Sequence, residues 1–304
     1  MDFYFENTNL SDRSKKMYSQ SVDKWIQFMP SKYQSVEYII SNPKIAYNCL
    51  INSLQTNTPE NRHIYLSGAM AVVRHCPDIC KKIKNLDNLK LQWEKLIKDN
   101  SQPIIERRLE NKPTPMQQLK GGSDITLHEV QQKRLSLEKG SMSRLLLSMY
   151  ILIPPVRADY HSAQIVYPGD KINYPNYIII DNTNIKLVIT EYKTAKIYGQ
   201  IVHEKLPKEL HDEIILSLQK QPRQFLFTNA QNKPYTRDAF SKWSSRLLEK
   251  IFDTDMTLTL IRHLYISSLD FNKMTTKELD KISKHMGHSL NMQSQYRWNN
   301  ADDE

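Results

Sequence analysis

Apolar residues in the first third of the chain recur at the three- to four-residue spacing that is typical of amphipathic helices. The first such run follows Ser11, a residue type that caps helix N-termini. The apolar face of this helix would consist of Met17, Tyr18, Val22, Trp25, Ile26 and Met29. Asn42 and Thr58 each precede a proline, which favours further helix starts there, and a fourth helix is predicted over residues 86–98. These patterns indicate an all-helical domain over residues 1–110.

The pattern changes after this domain. Residues 111–124 contain the pair Gly121-Gly122, prolines and no apolar periodicity, which is typical of a linker. Strands are predicted at 176–180 and 185–190, joined by the turn-rich segment 181–184, with a third strand at 200–206. Helices are predicted at 126–138, 141–153, 208–220, 236–252, 257–270 and 276–284. Thr275 and Glu278 form a capping box at the start of the last helix. We therefore expect a mainly α protein with a small antiparallel β-sheet, an α+β fold, and a second domain over residues 125–304.

Charge and composition narrow the range of partners. The 304 residues include 42 Lys and Arg against 33 Asp and Glu, a formal net charge of +9 that favours a polyanionic partner. No apolar run approaches the roughly 18 residues of a membrane-spanning helix. The start MDFYFENTNLSD lacks the basic and apolar regions of a secretory signal, so we expect an intracellular protein, in the nucleus or the cytoplasm. The low count of 7 glycines, beside frequent Lys, Ile, Asn and Tyr, suggests the AT-rich genome of a virus or mobile element.

The 3 cysteines indicate reduced thiols rather than a disulfide framework. Cys76 and Cys80 lie near His63 and His75 in the sequence, which raises the alternative of a zinc site. A second closely spaced pair of ligands is missing, so ordinary partly buried thiols are the better interpretation. We expect no metal and no cofactor.

Five polar residues of the second half occur in an informative order. The first follows two prolines just past a buried helix, and the second lies between the second and third predicted strands. The third is an arginine followed by a histidine inside a predicted helix, the fourth lies in the sequence Met-Gly-His-Ser, and the fifth is close to the C-terminus. In order they are Arg157, Lys193, Arg262, His288 and Tyr296.

This layout resembles the tyrosine recombinase (integrase) family. Catalytic domains of that family carry an arginine, a hairpin lysine, a His-x-x-Arg motif, a histidine or tryptophan, and a nucleophilic tyrosine in this order. The resemblance covers nearly the whole chain and implies a helical core-binding domain that, with the catalytic domain, clamps double-stranded DNA. It also implies a homotetramer on DNA and a 3′-phosphotyrosyl intermediate formed with release of a 5′ hydroxyl.

The residue types suit a phosphoryl transfer without metal. A phenol stores the broken phosphodiester as a phosphotyrosine, which makes Tyr296 the candidate nucleophile. Arg157 and Arg262 offer planar guanidiniums that stay charged and bind nonbridging oxygens. Lys193, on a hairpin, is a candidate general acid for the leaving 5′ oxygen, and His288 a candidate hydrogen-bond donor to the phosphate. The sequence contains no Asp/Glu cluster typical of a Mg²⁺ pair, which is evidence against a two-metal nuclease.

Two features depart from the family pattern. Thr259 stands three residues before Arg262, where the family usually has a histidine, and a hydroxyl is a poor general base. The eight residues from His288 to Tyr296 are one fewer than usual, which on a regular helix would rotate the phenol away from its usual direction. His263 is predicted to hold Arg262 in position without contacting the phosphate itself.

Each assignment has a structural alternative. Arg157 could be a surface charge, His288 a polar residue in a helix connection, and Tyr296 a packing residue among 16 tyrosines. Lys196, three residues after Lys193, is the alternative general acid.

The sequence favours a site-specific DNA recombinase or integrase, and two alternatives stay open. The first is a type IB DNA topoisomerase, which uses similar groups but relaxes supercoils as a monomer. The helical first domain argues against it, because those enzymes usually begin with a β-rich domain. The second is a DNA-binding protein of the same fold that has lost catalysis, which the departures at Thr259 and in the tyrosine spacing make credible.

Overall fold

A computed structural model describes residues 4–119, 124–181 and 183–298 of the chain. The chain divides into two compact units, Met1–Arg107 and Arg108–Glu304. Helices predominate, and four strands form one small sheet in the second unit, so the predicted α+β class is confirmed. No helix in the described part is both long and apolar enough to cross a membrane. The unit boundary lies close to the one predicted at residue 110, and separate activities of the two units stay a prediction.

Unit 1, Met1–Arg107, is helical. Ser11 and Thr58 cap their helices as predicted, because their hydroxyls accept the backbone N–H of Ser14 and Asn61. Asn42 differs, since its amide donates to the Tyr38 carbonyl instead. The helices are α1 (Asp12–Phe28), a 3-10 turn (Ser31–Tyr33), α2 (Val36–Ser41), α3 (Pro43–Ser53), α4 (Pro59–His75), α5 (Pro77–Cys80) and α6 (Leu86–Leu109), whose last two residues fall in the other unit.

The core of unit 1 is built around two tryptophans. Trp25 and Trp93 are fully buried and meet edge to face, with ring centroids 5.6 Å apart. Each indole N–H donates to a backbone carbonyl, of Ala46 and Ile40 respectively, so neither buried donor is left without a partner. Met17, predicted on the apolar face of α1, is instead 45% exposed. Its neighbours Tyr18 and Val22 supply that face.

Unit 2, Arg108–Glu304, contains the remaining helices and the sheet. The predicted linker is not wholly irregular, because α7 lies inside it, while Gly121 and Gly122 are outside the described residues. The helices are α7 (Pro115–Leu119), α8 (Leu127–Ser136), α9 (Met142–Ile151), α10 (Ala195–Tyr198), α11 (Lys208–Lys220), α12 (Arg237–Phe252), α13 (Leu258–Ser267), α14 (Thr276–His285) and α15 (Leu290–Ser294). The capping box of Thr275 and Glu278 is confirmed. The short helices α10 and α15 were not expected from the sequence.

The sheet contains β1 (Gln164–Val166), β2 (Asn176–Ile180), β3 (Ile185–Ile189) and β4 (Ile201–His203), paired in that order. The hairpin of β2 and β3 has the predicted antiparallel pairing, and β4 adds to β3 in the same sense. The three predicted strands therefore pair antiparallel as expected, and the sheet is mixed only because β1, which was not predicted, adds to β2 in parallel. Asn182 in the predicted turn lies outside the described residues.

Helix α9 occupies the centre of unit 2, and a buried ionic network holds it. From Arg144 to Ile151 every residue of α9 is buried. Arg144 Nε lies 2.6 Å from Glu213 Oε1, and Arg134 Nη1 lies 3.7 Å from the same oxygen. Arg134 also pairs with Glu209. Helices α8, α9 and α11 are therefore joined by the buried charges of Arg134, Arg144 and Glu213, with the half-exposed Glu209 at the edge.

Replacing Glu213 by leucine should destabilise unit 2 by about 3–5 kcal/mol, because the substitution leaves buried guanidiniums without their shared carboxylate. Urea unfolding followed by circular dichroism would measure the change. The control is Glu209→Gln, since Glu209 is half-exposed and should contribute about 1 kcal/mol or less. Equal effects of the two substitutions would contradict the importance of the buried carboxylate.

Candidate active site

The guanidinium of Arg262 joins three segments of unit 2. Arg262 lies on α13 and is 1% exposed. Its Nη1 donates to the Pro155 carbonyl at 2.5 Å, and both Nη atoms approach the Met286 carbonyl at 3.4 Å. Its Nε is buried and, within the described residues, has no hydrogen-bond partner. One donor of the guanidinium is therefore buried without an acceptor among the described residues.

Arg157 lies just past Pro155, and hydrogen bonds fix both its backbone N–H and its backbone carbonyl. Its N–H donates to Asp159 Oδ2 at 3.1 Å, and its carbonyl accepts the hydroxyl of Tyr150. The Asp159 carboxylate is buried, with Arg237 Nη1 2.5 Å from its other oxygen. The pKa of Arg262 is lowered mainly by burial and further by the positive charge of Arg157. The two predicted arginines therefore belong to one electrostatic site.

His288 lies in the connection between α14 and α15 and is 2% exposed. Its Nδ1 lies 3.1 Å from the Ser289 carbonyl, which can accept only, so this nitrogen carries the proton. Its Nε2 is then an acceptor, buried and without a partner in the described part of the chain. Burial, with the charges of Arg262 and Arg157, lowers the pKa of His288 to about 4. The side chain is neutral at physiological pH.

Tyr296 lies beyond the end of α15 rather than on a helix. The helix ends at Ser294, and the Tyr296 N–H closes a turn to the Gln293 carbonyl at 3.0 Å. The concern that eight residues from His288 would misdirect the phenol on a regular helix therefore does not apply. Because Tyr296 lies outside the helix, the rotation per residue of a regular helix does not determine the direction of its side chain.

The ring of Tyr296 forms part of a column of four aromatic rings. His263 stacks on Tyr296 with ring centroids 4.4 Å apart. Trp298 in turn stacks on the His263 ring, also with centroids 4.4 Å apart. His288 lies parallel to Tyr296 at 5.5 Å. The guanidinium carbon of Arg262 is 5.5 Å from the centroid of the same phenol ring. The structure thus brings the candidate nucleophile beside the buried arginine and the neutral imidazole.

His263 was predicted to support Arg262, and its described contacts go elsewhere. Its Nδ1 donates to the Tyr296 carbonyl at 2.8 Å, and its ring lies between those of Tyr296 and Trp298. Burial lowers the pKa of His263 to about 4, so this residue too is neutral. It contacts the segment of Tyr296 rather than the guanidinium fork.

Lys193 lies in the turn between β3 and α10 with an exposed side chain, and it makes no hydrogen bond or ion pair with the described residues. The next residue fixes the turn, because Thr194 Oγ1 donates to the Gly287 carbonyl at 2.6 Å. The lysine turn is therefore attached to the residue that precedes His288, while its ammonium remains outside the ring column. Lys196, on α10, is exposed as well.

Thr259 is exposed in the first turn of α13, and none of the contacts of the described residues joins it to Tyr296. The hydroxyl that caps α13 is that of Thr257. The position at which the family carries a histidine thus supplies no visible partner for the phenol.

Three contributors to the site were not found from the sequence. Asn176 on β2 donates to the carbonyls of Asp159 and Glu191 and accepts two N–H groups, which ties the arginine loop to the sheet. Arg237 neutralises Asp159. Trp298 supplies the base of the ring column. Trp298 could have been found from the sequence, because it lies only two residues after Tyr296. Asn176 and Arg237 lie far in the sequence from the predicted site residues, so no motif marked them.

The zinc alternative receives no support from the geometry. No group of three or more His, Cys, Asp or Glu side chains in the described ranges is placed to hold a metal ion. The thiol of Cys76 donates to the Tyr4 carbonyl at 2.8 Å, and that of Cys80 lies near helix carbonyls. Both are buried thiols of the unit 1 core.

No family model matches the sequence, and no curated protein matches it. Two solved structures are similar to nearly the whole chain. The crystal structure of XerA recombinase is 12% identical, covering 96% of this chain and 89% of its own, with a TM-score of 0.41. The crystal structure of XerH site-specific recombinase bound to difH substrate, a pre-cleavage complex, is 11% identical, covering 98% and 96%, with a TM-score of 0.42. With TM-scores below 0.5 neither likeness carries an argument about this chain, so the function is argued from the side chains of the site.

Replacing Gly287 by alanine should destabilise the protein by about 2–3 kcal/mol, because two penalties combine. Gly287 has a φ of +69°, and an added Cβ would lie 2.8 Å from Cε2 of Tyr192. Thermal unfolding would measure the loss. Gly169→Ala is the matched control, because Gly169 shares a positive φ but has open space around it. A loss no larger than that of the control would show that contact with Tyr192 does not constrain the loop before His288.

The two neutral histidines predict how stability depends on pH. Burial lowers their pKa values from 6.5 to about 4, so the unfolded chain takes up their protons first as the pH falls. The free energy of unfolding should therefore fall between about pH 6.5 and pH 4. Urea unfolding at pH 7 and pH 5 would show a smaller decrease for His263→Asn than for the unchanged protein. An equal decrease in both would contradict the buried, neutral state of His263.

Proposed function

We propose that the protein cleaves and rejoins DNA strands through Tyr296, as a site-specific recombinase of the tyrosine type. The observation that carries this proposal is the placement of the Tyr296 ring beside Arg262 and His288, each with a buried polar atom that has no partner among the described residues. A buried donor and a buried acceptor without partners are costly, and a bound phosphate with an attacking phenol would satisfy both.

The reaction is a transesterification. The phenol oxygen of Tyr296 bonds to the scissile phosphorus while the bond from phosphorus to the 5′ oxygen breaks. The phenol proton goes to a base, and the leaving 5′ oxygen takes a proton from Lys193. Attack of a 5′ hydroxyl on the phosphotyrosine reverses the sequence and restores a DNA strand. Because the phosphotyrosine retains the bond, no water or metal ion is needed as nucleophile or activator.

The two arginines stabilise the transition state. Negative charge builds on the nonbridging oxygens, and the preorganised guanidiniums of Arg157 and Arg262 meet it without reorganisation. Arg262 is already desolvated and fixed by backbone carbonyls, so its free Nε–H points to one direction of approach. Arg157, which is half-buried and whose side chain makes no described hydrogen bond or ion pair, would close on the phosphate from the edge of the site.

His288 serves as the proton acceptor in this scheme, rather than as the donor that the sequence suggested. The Ser289 carbonyl holds the proton on Nδ1, which leaves Nε2 with a free lone pair. A bound phosphate would offset the charges of Arg157 and Arg262 and raise the pKa of His288 from about 4 toward its ordinary range. This assignment supplies the base that Thr259 does not.

Duplex DNA is the proposed substrate because the chain carries a net charge of +9 and the site has two arginines for one phosphate. In the proposal unit 1 clamps the duplex opposite unit 2, and exchange of strands takes place in a homotetramer.

Tyr296→Phe should abolish formation of the covalent intermediate. The purified chain would be incubated with nicked duplexes containing candidate sites, and adducts that survive denaturant would be resolved on a gel. The unchanged protein should give a shifted band that releases DNA after protease treatment. Tyr192→Phe is the matched control, because Tyr192 lies in the same unit but donates to the Gly199 carbonyl.

The adduct assay, combined with a plasmid relaxation assay and a two-site recombination assay, distinguishes the three candidate functions. If the unchanged protein and Tyr296→Phe both bind DNA and neither forms an adduct, the result would contradict catalysis and favour a DNA-binding protein of this fold. An adduct accompanied by relaxation of supercoiled plasmid, without recombination between two sites, would favour the topoisomerase. Strand exchange between two sites supports the recombinase.

A further inference from the structure

The ring column described above has a base that the proposed chemistry does not use. Trp298 and His263 donate nothing to the phosphate in that scheme, yet Trp298 is buried, His263 is partly buried, and both contact the Tyr296 segment or its stacking partner. From this geometry we infer that His263 and Trp298 are positioning residues that hold the Tyr296 phenol in its reactive direction. The inference rests on the proposed function, since it concerns the same nucleophile.

The need for such residues follows from the local backbone. Helix α15 ends at Ser294, so Tyr296 has no helical hydrogen-bond ladder to set its orientation. Its own N–H makes one turn bond to Gln293. A phenol on an irregular segment loses precision unless other groups fix it, and misplacement by about 1 Å costs on the order of 100-fold in rate.

The base of the column is rigid because α13 carries both of its supports. Trp298 is 6% exposed within the apolar core of unit 2, and its backbone N–H donates to Ser267 Oγ at 2.8 Å. Ser267 and His263 are four residues apart on α13 and therefore lie on the same face of the helix. The backbone of Trp298 is thus attached to α13, the helix that carries His263 and Arg262, and its indole contacts that helix by stacking on the His263 ring.

His263 fixes Tyr296 in two independent ways. Its Nδ1–H binds the Tyr296 carbonyl at 2.8 Å, which sets the peptide plane, and its ring stacks on the phenol with an interplanar angle of 24°, which sets the ring plane. Trp298 stacks on the imidazole at 11° and prevents it from turning. Together they hold the phenol ring in the place where it lies beside Arg262 and parallel to His288.

The experiment compares variants that keep or remove each contact. His263→Ala removes both the donor and the ring, whereas His263→Asn retains an N–H donor. Trp298→Leu removes the ring, whereas Trp298→Phe retains one. His211→Ala is the matched control, since that imidazole lies on α11 and pairs with Asp212. The single-turnover rate of adduct formation at saturating nicked duplex is measured for each. The duplex Kd is measured in the Tyr296→Phe background, and melting is followed in parallel.

The inference expects His263→Ala and Trp298→Leu to slow adduct formation about tenfold or more while the duplex Kd stays within about twofold. His263→Asn and Trp298→Phe should recover part of the rate, and His211→Ala should match the unchanged protein. Where an alanine or leucine variant fails to fold, the conservative variants decide, because they too should show a reduced rate with unchanged Kd.

Other outcomes overturn the inference. Wild-type rates in His263→Ala and Trp298→Leu, or parallel losses of rate and duplex binding, would leave these residues with no role or a merely structural one. Absence of recovery in both conservative variants would contradict the two-contact argument. If the unchanged protein forms no adduct, the proposed function fails and the inference falls with it. If it forms one and the variants do not slow it, the inference alone is wrong.

Discussion

The buried guanidinium of Arg262 is the interaction on which the arrangement of unit 2 depends. Through the carbonyls of Pro155 and Met286 it holds the chain two residues before Arg157 and two residues before His288. A buried cation is costly unless polar groups surround it, so the fold must bring those carbonyls to it. The negative charge of Asp159 also favours the charged form. The requirement to satisfy one cation therefore assembles segments that are far apart in sequence.

Much of the fold follows from local signals in the sequence. Hydroxyl caps at Ser11, Thr58 and Thr275 mark helix starts, and β-branched runs mark β2 and β3 at nearly the observed bounds. These signals succeed because they depend on neighbours within a few residues. The parallel strand β1 and the exposure of Met17 depend on tertiary packing, which leaves no trace at that range.

The candidate site, like the fold, could be predicted from the sequence only in part. The order of the polar residues pointed to Arg157, Arg262, His288 and Tyr296, and the structure brings the last three together, with Arg157 two residues beyond the Pro155 carbonyl that Arg262 binds. Their catalytic roles stay a prediction. The sequence could not reveal which ring nitrogen of His288 faces a carbonyl, because a backbone turn decides this. Nor could it show that His263 turns toward Tyr296, since residues at consecutive positions of α13 point in different directions around the helix axis.

The hydrogen bond from Thr194 to the Gly287 carbonyl has a further consequence. It connects the turn that bears Lys193 with the loop that bears His288, so the two segments that would carry the general acid and the base of the proposed mechanism are joined by one hydrogen bond. A substitution that removes the Thr194 hydroxyl would therefore uncouple the two segments from each other, even though it changes neither Lys193 nor His288.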